Sequence, residues 1–290
     1  MASQTNLKFL AALLFCVDDS VAAAQQREER PDKRNYTLFN PTPEAYLREL
    51  SADRPDKTES PFTVDAGHFQ LEMDVVNLTY NSPNDERPNT RSTSVEIAPM
   101  NLKVGLLNDL DFQLVFTPYN WERTDVGGDV EHKSGFDGIT PRLKLNVVGN
   151  DGGPFALALL PFVRLPLSQD DLGNNSVEGG VAIPLAFDVA GWEVALQTAF
   201  EFNRDDTGDA YHLEVDNSIS VGHSLFGRLS GYVEFFGGVS TEGGAGWVGT
   251  VDTWLTYDVN RNFRLDAGVY IGVTDAADDW HPWIGLTWRH

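Results

Sequence analysis

The sequence predicts an all-β protein, a single transmembrane up-and-down antiparallel β-barrel of about twelve strands with an irregular N-terminal segment. Three observations predict it. The first is the stretch Phe263 to Val273, whose odd positions read Phe, Leu, Ala, Val, Ile, Val and whose even positions read Arg, Asp, Gly, Tyr, Gly. As a strand it has one wholly apolar face and one polar face, and its length is that of a strand crossing a bilayer at a tilt. The second is the spacing of the alternating segments, in which tight turns and long connections take turns. The third is the placing of Tyr80, Tyr119, Trp121, Trp192, Tyr211, Trp247, Tyr257, Trp283 and Trp288 at or near segment ends, where the two aromatic girdles of a membrane barrel would lie.

Taken in order, the segments begin at His68. Phe69–Tyr80 sets Phe69, Leu71, Met73 and Val75 against Glu72 and Asp74, and its phase shifts after Val75, which predicts a bulge. Ser92–Val104, Leu110–Tyr119 and Phe136–Val148 follow, the last with Ile139, Leu143, Leu145 and Val147 opposite Arg142, Lys144 and Asn146. Phe155–Leu165 is apolar on both faces except Arg164; Leu160 and Phe162 on its inward face would line a dry path or pack on the N-terminal segment. Val177–Asp188, Trp192–Phe202, Tyr211–Val221, Phe226–Phe236, Trp247–Tyr257, the Phe263 stretch and Trp283–Arg289 complete the set. The even count suits a closed bacterial barrel. Leu107–Asp109, Gly149–Gly153 and Val259–Arg261 are tight; Asn81–Arg91 and Trp121–Gly135 are read as long loops.

The N-terminus is of another kind. Lys8, the apolar run Phe9–Val17 and the small residues ending at Ala24 predict a signal peptide over residues 1–24. The single cysteine, Cys16, lies within it, so the mature chain has none. Residues 25–67 are charged and proline-rich, which predicts irregular backbone lying in the periplasm or plugging the lumen, with one short helix from Pro43 to Leu50 capped by Thr42. Residues 68–290 form the barrel.

A formal charge of −22 excludes nucleic acid as a partner class and a polybasic membrane anchor with it. Energy decides which face is which: a charge on the lipid face near the midplane costs roughly 2–4 kcal/mol. The charged faces therefore point inward, and Arg142, Lys144, Arg164, Glu193, Glu201, Arg264 and Asp266 are the expected lumen lining, a fixed electrostatic wall. With about twelve strands the bore falls between a side-chain-filled barrel and an aqueous pore.

No G-x-S-x-G, H-E-x-x-H or phosphate-cradling glycine loop occurs, and His212 with Glu214, Ser218 and Ser220 along one strand does not make a nucleophile–base pair. The expectation is a protein that is not an enzyme, with no catalytic residue, no metal and no cofactor. Acidic loop positions (Asp170 and Asp171; Asp205, Asp206 and Asp209; Asp275, Asp278 and Asp279) lack the spacing of a calcium loop.

Several stretches resemble a known family: Asp53-Arg54-Pro55-Asp56-Lys57-Thr58-Glu59-Ser60-Pro61-Phe62-Thr63-Val64 with Gly67-His68-Phe69-Gln70-Leu71-Glu72, then Arg142–Lys144 through Gly149–Gly153 to Leu160–Val163, and Leu265–Gly268 through Asp279. They are similar to an outer-membrane transporter family of proteobacteria associated with the meta-cleavage pathway of phenol degradation. The resemblance runs from about Asp53 to the C-terminus. It implies a channel in the bacterial outer membrane for passive passage of small hydrophobic or aromatic compounds, with outer-membrane lipid and the barrel-assembly machinery as partners. Barrels of this kind usually end on an aromatic residue; this chain ends Trp288-Arg289-His290. Two alternatives stand beside that reading. One is a plugged structural or surface-binding barrel acting through its acidic extracellular loops, the other a soluble secreted β-sandwich binding protein.

Overall fold

The computed structural model describes residues 32–54, 56–173, 175–205 and 210–290. The expected signal peptide lies outside the described residues. The compact body runs from Arg34 to His290.

Alternation builds the strands: β1 (Phe69–Asn81), β2 (Thr90–Ile97), β3 (Met100–Leu107), β4 (Leu110–Val126), β5 (Asp129–Val148), β6 (Ala156–Arg164), β7 (Glu178–Val189), β8 (Trp192–Arg204), β9 (Tyr211–Phe226), β10 (Leu229–Ser240), β11 (Val248–Asn260), β12 (Phe263–Gly272) and β13 (Trp280–Arg289). Neighbours pair antiparallel in sequence order, and β13 returns to β1, with Gln70 opposite Arg289 and Tyr80 opposite Trp280. The sheet has no free edge, which overturns the β-sandwich alternative.

β2 and β3 occupy one position in the wall. Both lie between β1 and β4, β2 along one half and β3 along the other. Ala98, at φ 56°, and Pro99 break the strand between them, because a proline cannot donate to the ladder. The wall is therefore a twelve-strand barrel. The register of β1 against β13 slips between Asp74 and Val76, where the change of phase after Val75 predicts a bulge.

The exposure pattern follows the chemistry. On β5, Leu143, Leu145 and Val147 are 41–54% exposed, whereas Lys144 between them is 0% exposed. An uncovered belt of Leu, Val, Ile and Phe around a closed barrel is a surface for hydrocarbon, and it places the protein in the bacterial outer membrane. No helix of the described residues is long and apolar enough to cross a membrane.

Three expectations are corrected. Trp121–Gly135 is not a loop: β4 and β5 continue to a tight turn at Gly127–Gly128, both at positive φ. Polar strand beyond the bilayer needs no apolar face, so alternation did not mark it. The helix expected over Pro43–Leu50 is a single 3-10 turn, Glu44–Tyr46, without a side-chain cap. Trp283 does not join a girdle; it points inward and is 6% exposed.

Candidate functional site: the barrel interior and the segment within it

Residues 34–68 enter and leave at the end of the barrel that carries the tight turns. The Leu38 N–H donates to Leu106 O (2.8 Å), Gly67 N–H to Gly105 O (2.9 Å) and Gly105 N–H to His68 O (3.0 Å). Arg48 closes the base of the loop that lies between. Its backbone N–H donates to Asp65 Oδ2 (2.9 Å), and its guanidinium to Thr63 O (3.1 Å), Asp151 Oδ1 (3.0 Å) and Asn108 O (2.6 Å). The two legs of the loop, near residues 48 and 63–65, are thereby tied to each other and to two turns.

From that base the loop reaches inward-facing side chains around the wall. Asp53 accepts from Lys144 of β5 and forms an ion pair with Lys103 of β3 (2.5 Å), while Lys103 also meets Glu72 of β1. Arg54 donates to Asp266 of β12 (2.6 Å) and to Asp74 of β1. Lys57 Nζ donates to Asp252 (3.0 Å) and Thr250 (2.7 Å) of β11. Glu234 of β10 accepts the backbone N–H groups of Lys57 (2.9 Å) and Thr58 (2.8 Å). Thr58 Oγ1 lies 2.6 Å from Ser218 Oγ of β9, Glu59 N–H donates to Gln197 Oε1 of β8 (2.9 Å), and Arg142 of β5 donates to Glu59 Oε1 (2.6 Å). Val64 N–H donates to Asp111 of β4 (2.9 Å). A segment bonded to β1, β3, β4, β5 and β8 through β12 lies inside the barrel.

Charge on the loop mirrors charge on the wall. Burial pushes the Asp53 carboxyl up, but the Lys103 and Lys144 ammoniums outweigh it and hold the group well below the usual carboxylate range. Asp56 is the opposite case: burial, then the nearby Glu234, raise it well above its ordinary value. Burial also raises Glu59, against the pull of Arg142.

Two parts of the inner wall carry more than charged groups. Lys57 Nζ lies 4.1 Å from the Tyr270 ring centre and 5.0 Å from that of Phe236, a cation–π arrangement. Tyr270 packs on Trp283 (4.2 Å between centres), and Tyr232 stacks on Trp254 (5.1 Å, planes within 1°). The lumen face of β10–β13 is thus rich in rings. The other part is on β6–β8, where Leu160, Ala182 and Ala199 form a buried apolar cluster. Glu59 is bonded to Gln197 of β8, and Pro61 O accepts from Asn146 of β5 (2.8 Å), so residues 59–61 cross this part of the wall. Among the described residues, no hydrogen bond joins residues 48–65 to β6 or β7.

The seven charged residues singled out in the sequence fall at three levels. Arg142, Lys144 and Asp266 bind the loop. Arg164 and Glu201 lie toward the long loops and meet each other (3.4 Å), with Glu178 and Asn203 also on Arg164 (2.9 and 3.2 Å). Glu193 and Arg264 lie toward the tight turns; Glu193 accepts from Tyr232 (3.1 Å) and Arg264 donates to Asp258 (2.6 Å). Sequence reasoning missed Lys103 and the inward rings. Lys103 was legible, since it alternates with Leu102 and Val104. The rings were not, because an aromatic side chain suits either face.

Among curated protein sequences none matches this chain. The transport unit of the autotransporter AIDA-I from Escherichia coli is similar in structure, with TM-score 0.50 and 11% identity, over 84% of this chain and 94% of that one. It shows the barrel fold. The NanC porin gives TM-score 0.49 and 8% identity over 74% and 98%, and a deletion mutant of TodX, a monoaromatic hydrocarbon channel, 0.41 and 9% over 77% and 89%. A family model matches residues 52–289, so that the match takes in both the wall and the loop inside it. The chain belongs to the family described as "Putative MetA-pathway of phenol degradation".

Proposed function

We propose that the protein is a passive outer-membrane channel for small hydrophobic or aromatic compounds, closed in this conformation by residues 48–66, and that it catalyses no reaction. The observation that carries the reading is the seat of Lys57 over Tyr270 and Phe236. A lumen built only to be filled has no need of rings on the inner face of β10–β13. When the loop moves, those rings become a stacking surface for a flat apolar solute, and the Leu160 cluster becomes the facing wall. Arg142, Lys144 and Asp266 then act as the catch that holds the loop, while Arg164 with Glu201, and Glu193 with Arg264, set the field at the two ends. The monoaromatic channel among the structural neighbours, and the phenol pathway in the family's description, agree with this class of solute. Insertion by the barrel-assembly machinery, reading the outward apolar residues of β13 such as Ile284 and Trp288, is part of the same proposal.

The test is uptake of phenol and toluene into liposomes holding the refolded full-length protein, compared with a variant lacking residues 52–62. Faster uptake through the deletion variant, with weaker uptake through the wild type, supports the channel. Equal and negligible uptake through both favours a plugged structural barrel. The buried ion pairs of Asp53 and Arg54 are what favour that second reading.

A further inference from the structure

At the rim carrying the long loops, one imidazole is enclosed by carboxylates from three places in the chain. Asp205 follows β8, His212 stands at the start of β9 and Glu242 follows β10. His212 Nδ1 lies 2.9 Å from Asp205 Oδ1 and 3.7 Å from Glu242 Oε2, and the three ligand atoms all lie within 4.8 Å of one another. On the other side of the ring, Nε2 lies 3.2 Å from Glu214 Oε1. Glu214 is itself oriented by Asn203, whose Nδ2 donates to Oε2 (2.9 Å). The His212 side chain is only 8% exposed.

From these positions we infer a site for one divalent transition-metal ion of the zinc type, with His212 Nδ1, Asp205 and Glu242 as ligands. Donation of Nε2–H to Glu214 leaves the Nδ1 lone pair facing Asp205 and Glu242; a carboxylate on the far nitrogen of a ligating histidine is the usual way a protein orients such a ring. Ligand atoms about 2.0–2.2 Å from a tetrahedral ion stand about 3.3 Å apart, between the 2.9 and 3.7 Å seen here. In the absence of an ion a protonated ring would donate Nδ1–H to Asp205 (2.9 Å) and Nε2–H to Glu214 (3.2 Å), with Glu242, at 3.7 Å, too far from Nδ1 to accept from it; an ion bound at Nδ1 would draw on both Asp205 and Glu242. Imidazole among the ligands selects a transition metal over calcium or magnesium. The loop carrying Glu242 is fastened independently of the ring: Leu213 N–H donates to Thr241 Oγ1 (2.9 Å) and Glu242 N–H to Ser240 Oγ (3.0 Å). Bound metal would join the ends of β8, β9 and β10. It would also connect through Glu214 and Asn203 to Arg164, which donates to Asn203 Oδ1 (3.2 Å).

The test is titration of chelator-treated, refolded full-length protein with cobalt(II), followed by its visible absorption, then displacement by zinc. The expected result is one saturable site per chain with the intense bands of four-coordinate cobalt. His212→Gln and Asp205→Asn should abolish those bands, Glu214→Gln should weaken binding about 10–100-fold, and His132→Gln should leave it unchanged. Each variant is checked for its heat-dependent gel shift, so that loss of fold is not mistaken for loss of a ligand. Cobalt absorption that is absent in the wild type, or present and equal in His212→Gln, would overturn the site. So would calcium competing as well as zinc.

Discussion

Asp53 stands between Lys144 and Lys103, one carboxylate from the loop joining two ammoniums of the wall on β5 and β3. All three side chains are almost fully buried, at 0–4% exposure. Breaking such a group by removing one member costs more than replacing the whole of it, because the charges left behind lose their counterion in a place water does not reach. Asp53→Ala is therefore expected to weaken seating of the loop by about 3–5 kcal/mol. In refolded protein, trypsin cleavage after Lys57 reports it, and should become much faster than in the wild type. Asp53→Leu with Lys144→Met should recover part of the protection. Equal cleavage of wild type and Asp53→Ala would show that the contact does not hold the loop.

Arg54 can be displaced without altering it. A Cβ built on Gly285 of β13 would lie 2.6 Å from Arg54 Cζ, and the guanidinium, at the end of a flexible side chain, is what must give way. Gly285→Ala should therefore leave the barrel folded while parting Arg54 from Asp266 and Asp74. Loop cleavage and solute leak should rise to the level of Arg54→Ala, and the double variant should add nothing further.

Gly105 is a stricter position. A Cβ there would stand 2.6 Å from Val64 O, against backbone rather than a mobile side-chain end. Gly105→Ala is expected to dislodge residues 64–67 from β3. The gel shift of the barrel should persist while the loop becomes accessible to protease.

The loop's carboxyls give a direction with pH. Asp56 and Glu59 are raised in the seated loop, chiefly by burial, and return to ordinary carboxylate values when it is released. The seated state therefore binds more protons above the ordinary carboxylate range, and seating weakens as pH rises through the raised values. Asp53, held low by Lys103 and Lys144, acts in the opposite sense, but only as pH falls below the ordinary carboxylate range. Between pH 5 and 8 (assay conditions) leak should increase with pH, and Asp56→Asn should flatten the dependence. A leak that decreases over that range would contradict the assignment.

Much of the wall could be read in advance because one physical demand, apolar toward lipid and polar inward, acts on every second residue. Leu143, Lys144 and Leu145 show it in three positions. Where that demand lapses, legibility lapses with it. The extensions of β4 and β5 past Trp121 and before Phe136 leave the bilayer, so their polar faces look like a loop. The loop from Arg48 to Asp65 has no period at all, since it is ordered by individual bonds to the wall. Asp53, Arg54, Lys57 and Glu59 have the composition of a solvated linker, and only the fold reveals that each faces a partner of the right charge or a backbone acceptor. The rim site was out of reach for a related reason: Asp205, His212 and Glu242 are brought together by the registers of β8, β9 and β10, which no local spacing records.

The most direct test of a closed channel is to lock the loop. Thr58 Oγ1 and Ser218 Oγ lie 2.6 Å apart, and the only cysteine of the sequence is Cys16, within the expected signal peptide. Thr58→Cys with Ser218→Cys thus places a reducible tether between the tip and β9. Uptake of phenol into liposomes is measured for the oxidised and the reduced protein. Uptake blocked when oxidised and restored by reductant is the predicted result; uptake that is the same in both states would contradict the claim that this loop closes the channel.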